Sequence, residues 1–288
     1  MKNRTNKIYS YGFLLPAGII YGGLFIVPTF LSFFFSLTRW TLIDWNFIGF
    51  DNFKTFFSEP SLTIGFKNSI IYAILTCGLK VVLGFLLANL LCSKIRTKGF
   101  LRSMVFFPTI LSTIAVGITF SSMMQPSTGI INKTLALIHI TGPDWLGNLS
   151  LALISVVLVD VWKGVGMATV IFIAGIMSIP EQYYEAIMVD GADAFKKFWY
   201  ITLPLSRSAM NSVIILAFIG GIRSFDLIWT MTGGGPGFTT DVIASIIYKQ
   251  YTSGFYGLAT AGNVILFVVV SLLAFPLYKF LTKSEVDM

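Results

Sequence analysis

Two pairs of ionisable residues fall inside long apolar runs, and their spacing is a chemical clue. Asp160 and Lys163 are three residues apart, as are Arg223 and Asp226, so each pair can lie on one helix face and neutralise itself. Charge in an apolar segment is expensive to keep, which makes each of these residues a candidate for function. Two readings stand side by side. In one the pairs are structural; in the other their faces line a water-filled path, where polar groups hydrogen-bond a polar solute and Trp162, Phe225 and Trp229 offer flat faces for stacking. Lys80 is a further cation inside an apolar run, without a nearby partner, and either snorkels or pairs across helices. Catalysis has little to build on. No paired carboxylates in an exposed domain, no Ser/His/Asp set and no metal cluster can be assembled, and His139 stands without a second ligand at metal spacing. Cys77 and Cys92, about four helical turns apart in one apolar run, cannot bond within that helix and read as packing residues.

A second candidate is the polar stretch 181–204, EQYYEAIMVDGADAFKKFWYITLP. Glu181, Glu185, Asp190 and Asp193 are mixed there with Lys196, Lys197 and the rings of Tyr183, Tyr184, Phe195, Phe198 and Trp199, a blend suited to docking a protein. Pro180 fits a first helical position, the acids at 181 and 185 lie near the positive end of the helix dipole, and Gly191 can end the helix. A second helical piece is expected from Ala192 to about Tyr200, and Pro204 suits the start of a following helix.

The elements that must position these residues are membrane spans. With 55% hydrophobic residues, 11% charged residues and a mean hydropathy of +0.81 over 288 residues, the composition is that of an integral membrane protein. Apolar runs predict six transmembrane helices at about 11–37, 66–91, 100–124, 149–179, 205–231 and 256–281, in an all-α fold with a single domain over 1–288. The first run follows a basic start but exceeds a signal-peptide core and lacks a cleavage pattern, so it is retained as a span. Cations are placed asymmetrically: twelve Lys and Arg fall on the side of the N-terminus and five on the other. The positive-inside rule then puts both termini and the 181–204 loop in the cytoplasm. The net charge of +7 is therefore read as topology rather than as nucleic-acid binding.

Several of these segments together resemble the permease subunits of binding-protein-dependent ABC importers of the carbohydrate (maltose and glycerol-phosphate) type. Glu185-Ala186, Gly191 six residues after the glutamate, and Ile201-x-Leu203-Pro204 ten residues after the glycine resemble the family's EAA loop. Ile187 departs from it, standing where a second alanine is usual. Further likeness lies in 47–53 (FIGFDNF), Trp162-Lys163, Ile179-Pro180, 224–236 (SFDLIWTMTGGGP) and 256–261 (YGLATA), so that it covers nearly the whole chain. The glycines of the 224–236 stretch are not a phosphate loop, because no Gly-Lys-Ser/Thr follows, and the chain has no visible means of binding ATP itself.

The resemblance implies a type I importer fold and a permease rather than an enzyme, with ATP and Mg held by two separate ATPase subunits and no cofactor on this chain. It implies that the loop meets the ATPase through Glu185, Ala186, Asp190, Gly191 and Ala192. It also places sugar contacts on the fourth and fifth spans, at positions matching Lys163, Gly164, Met167, Gly221, Arg223 and Ser224; Asp160 and Asp226 join these through their charge. Other implied partners are a homologous second permease in a heterodimer and an extracytoplasmic solute-binding protein, at a bacterial or archaeal cell (inner) membrane. The rival expectation is an ion-coupled secondary transporter that uses the intramembrane pairs as proton relays; it leaves the 185–204 spacing unexplained.

Overall fold

The computed structural model describes residues 11–93 and 95–283. The expected cytoplasmic cations Lys2, Arg4, Lys7 and Lys94, and the tail acids Glu285 and Asp287, lie outside the described residues. Within the single permease domain expected from the sequence, the chain groups into two compact units, Met1–Glu59 with Ile247–Ile265, and Pro60–Ile246 with Leu266–Met288.

The first unit begins with helix α1 (Gly12–Ser36), which contains a π turn at Gly22–Ile26 and keeps no buried residue in its most apolar stretch. A two-stranded antiparallel hairpin follows, β1 (Thr38–Trp40) against β2 (Trp45–Phe47), the described residues' only departure from an all-helical chain. The 47–53 segment lies in the same unit. Gly49 turns the chain at φ +61°, helix α2 (Asp51–Ser58) begins, and the Asn52 amide donates to the Ser36 and Thr38 carbonyls at 2.9 and 2.8 Å.

The second unit is built on α3 (Pro60–Cys92), whose 33 residues run without an internal proline. Helices α4 (Lys98–Ile110) and α5 (Thr113–Met123) replace the straight third span. They meet at 95°, two residues after Pro108, with Leu111 and Ser112 extended between them. A short helix α6 (Ile130–Leu137) occupies the following loop and precedes α7 (Ala152–Met177). The 181–204 stretch forms α8 (Glu181–Val189) and most of α9 (Ala194–Leu205). After a 67° bend come α10 (Arg207–Ile222) and α11 (Asp226–Thr232), and the chain continues through α12 (Ile243–Thr252) and α13 (Tyr256–Thr282), whose residues 247–265 belong to the first unit. By length and composition α1, α3, α7 and α13 can each cross a membrane, and the crossings number six when each bent pair counts as one.

Two apolar clusters hold the second unit. One gathers Tyr72, Val156, Val157, Leu227, Ile228 and Met231; the other Phe85, Ala88, Ala168, Phe172, Ile176 and Val213. Small residues let α3 and α7 approach closely between them: a Cβ at Gly84 would stand 2.9 Å from the Ala168 methyl.

Candidate functional site

The 181–204 stretch is built from local signals. Pro180 sits just outside α8, at ψ 135°, so the helix starts at Glu181, one residue later than the sequence suggests. Its end is a Schellman turn. Gly191 at φ +73° donates to the Met188 carbonyl at 3.0 Å, and Ala192 donates to Ile187 at 3.1 Å. The Asp193 carboxylate then accepts from the Lys196 amide at 2.9 Å and starts α9, which reaches Leu205 rather than Tyr200. The extra length includes a π turn at Phe198–Thr202. Across the turn the Tyr184 hydroxyl and Thr202 Oγ1 are 3.1 Å apart, which ties α8 to α9.

One face of this hairpin is anchored and the other is free. Phe198 packs on Phe85 at 5.4 Å between ring centres, and Phe85 meets Phe172 edge-on at 5.1 Å, so the hairpin is seated on α3 and α7. Glu181, Glu185, Ala186, Asp190 and Gly191 are exposed, together with Met188, Val189, Phe195 and Trp199, while Ala192 is half-buried. The exposed side chains of the hairpin therefore mix carboxylates with large apolar groups.

The intramembrane charges are arranged differently from the sequence expectation. Asp160, Lys163, Gly164 and Met167 do share one stripe of α7, at i, i+3, i+4 and i+7, half-buried or exposed. Asp160 pairs across helices with Lys80 on α3, Nζ to Oδ2 at 2.6 Å, instead of with Lys163 on its own helix. Geometry favours this because the Lys80 stem passes over Gly164, where no side chain obstructs it. Lys163 contributes its backbone carbonyl to Thr109 Oγ1 at 3.0 Å.

Arg223 and Asp226 do not share a helix. The expected fifth span ends at Ile222; Arg223 caps α10, Ser224 and Phe225 form the break, and Asp226 opens α11. Gly221 lies against the α3 backbone, where a Cβ would stand 2.7 Å from Ala73 Cα. The Tyr72 hydroxyl is fully buried and interacts with both Asp160 and Ser224. Asp160, Gly164, Gly221 and Ser224 thus gather around one face of α3, whereas Arg223 and Asp226 are exposed. Tyr72 and Thr76 were missed by the sequence reading; the signal available was their i, i+4, i+8 spacing with Lys80. Of the aromatic residues, Phe225 and Trp229 stack on each other at 5.8 Å and 19°, and Trp162 leans on Phe120 at 5.1 Å.

The glycine run closes α11, as a helix-capping turn does. Gly233 at φ +59° donates to the Ile228 and Trp229 carbonyls, and the Asn68 amide secures the chain beyond it through Thr239 and Asp241 at 3.0 and 2.8 Å. Beside this turn lies a cleft of about 390 Å³, lined by Gln125, Asp144, Thr232 and Pro236 among others.

Residues 80–285 match the family described as binding-protein-dependent transport system inner membrane component. The chain is 32% identical over 286 residues to the multiple sugar-binding transport system permease protein MsmF of Streptococcus mutans, covering 98% of each. It is 32% identical over 272 residues to the trehalose/maltose transport system permease protein MalF of Thermococcus litoralis, covering 94% of this chain and 92% of that one. Its fold matches a chain in the crystal structure of a bacterial ABC transporter involved in the import of the acidic polysaccharide alginate, with a TM-score of 0.84 at 23% identity, over 95% of this chain and 94% of that chain.

Proposed function

This chain belongs to the family of binding-protein-dependent transport system inner membrane components, and from that membership we propose that it is the transmembrane permease subunit of an ATP-driven ABC importer, forming half of the path for a sugar or oligosaccharide. The observation that carries the reading is the α8–α9 hairpin: anchored through Phe198, turned at Gly191, and exposing carboxylates with large apolar side chains. Sugar as the solute is supported by the names of the two relatives, each nearly a third identical along almost its whole length.

In this reading Glu185, Ala186, Asp190, Gly191 and Ala192 meet an ATPase subunit, which holds ATP and Mg. Closure of two such subunits moves the hairpins and swings the spans between inward- and outward-facing states. A homologous second permease completes a heterodimer, and an extracytoplasmic solute-binding protein delivers the sugar. Asp160, Lys163, Gly164 and Met167 face the path from α7, and Arg223, Ser224 and Asp226 from the α10–α11 break, while Gly221, packed on α3, sets the position of that break. Both termini and the hairpin lie on the cytoplasmic side of a bacterial or archaeal cell (inner) membrane, as the cation asymmetry favours.

The test is affinity purification of the chain from its native membrane in mild detergent, with identification of what accompanies it. Recovery of an ATPase and a second, homologous permease is the expected result. A chain that purifies alone and moves solute without ATP overturns the proposal.

A further inference from the structure

The α3 face bearing Tyr72, Thr76 and Lys80 meets both the α7 stripe and the α10–α11 break, yet α3 contributes nothing to the solute path proposed above. Three observations single out Lys80. Its ion pair with Asp160 is not sealed, for the two side chains keep 13% and 21% of their exposure. Its stem fills the space over Gly164, where a Cβ would stand 2.6 Å from Lys80 Cε and 3.0 Å from Nζ, so the absent side chain is what admits the lysine to the stripe. The Tyr72 hydroxyl, fully buried, interacts with both Asp160 and Ser224, which brings the α3 face, the α7 stripe and the α10–α11 break to one place. A charge pair kept only to fill an interior needs its remaining lone pairs and protons satisfied and its surroundings closed. This pair instead stands on a stripe that stays accessible.

We propose that Lys80 is a positioning residue of the solute path: it neutralises Asp160 and fixes its carboxylate on the α7 stripe, so that the carboxylate also accepts hydrogen bonds from solute hydroxyls. Gly164 is part of the same device, because any side chain there displaces the lysine. The proposal rests on reading the α7 stripe as a wall of the path, and its test separates the two.

The test uses the full chain in permeabilised vesicles of its native membrane, with Cys77 and Cys92 replaced by alanine and Met167→Cys as reporter. Met167 is 50% exposed, one turn beyond Gly164 on the stripe. Its reaction rates are compared for two aqueous thiol reagents, cationic 2-(trimethylammonium)ethyl methanethiosulfonate and anionic 2-sulfonatoethyl methanethiosulfonate. Lys80→Met exposes the Asp160 charge and is expected to raise the cation-to-anion rate ratio roughly 3- to 10-fold. Gly164→Ala raises it in the same direction, the double variant adds nothing further, and Lys80→Arg keeps the parent ratio. Lys80→Gln serves if Lys80→Met does not accumulate. A reactive reporter whose ratio ignores Lys80→Met overturns the proposal and leaves the path reading standing. A reporter that reacts with neither reagent refutes the path reading, and the proposal with it.

Discussion

At Gly191 the chain reverses through groups supplied within a few residues: a left-handed glycine, two amide-to-carbonyl bonds back into α8, and the Asp193 carboxylate that starts α9. At Arg223 the chain also breaks a helix, but no left-handed residue and no side-chain cap marks either edge. That break is held from outside, by Gly221 against Ala73, by Tyr72 facing Ser224, and by the burial of Leu227 and Ile228. A turn specified locally can be carried as a unit while its surroundings move; one specified by packing changes when its neighbours do. The first suits a part that is pushed, the second a part that must respond.

Four variants bear on this contrast, in decreasing order of effect. Glu185→Lys reverses a charge on the exposed face of α8 without touching the turn, and uptake of the transported sugar should fall by about two orders of magnitude while the protein still inserts, as for loss of a close interfacial charge pair. Normal uptake by that variant would remove the hairpin from the coupling role. Gly221→Val must push α10 away from α3 and should cost about 1–3 kcal/mol by overpacking, read as a lower thermal midpoint in detergent. An unchanged midpoint would mean that the break is less dependent on α3 than argued above. At Gly191 a Cβ meets nothing within 4 Å, so Gly191→Ala costs only the backbone strain of positive φ, about 1 kcal/mol, and protease sensitivity should rise in the hairpin alone. Asp193→Ala removes the cap of α9 for about 0.5–1 kcal/mol, seen as faster exchange of the Lys196 amide with no change around Tyr72. Exchange that spreads to the spans in either hairpin variant would erase the distinction between the two regions.

The same contrast explains what the sequence made legible. Apolar length reports where a chain can cross a membrane, so α1, α3, α7 and α13 were placed to within a few residues, apart from the earlier start of α3 at Pro60. Glycine and Asp193 report local turns, so the hairpin was readable, but both prolines were misplaced by the sequence: Pro180 lies just outside α8, and Pro204 falls in the last turn of α9 rather than starting α10 at Arg207. Hydropathy carries no information on direction, and the 95° bend between α4 and α5 passes through Leu111 without loss of apolar character. The Lys80–Asp160 pair joins residues 80 positions apart, and no short-range spacing announces it. The sequence offered Lys163 as the partner of Asp160 because Lys163 is near in the chain; the helix–helix approach offered a better one.

The bend at Ser206 has a mechanical reading. The serine is buried, its hydroxyl donates to the Thr202 carbonyl at 2.6 Å, and the axes of α9 and α10 turn by 67° about it. In a jointed linkage with that angle, a thrust delivered along one arm arrives mostly across the other, with only a minor part along its length. The chain has in effect a crank cut into it: a stroke along α9 swings α10 sideways instead of driving it like a piston.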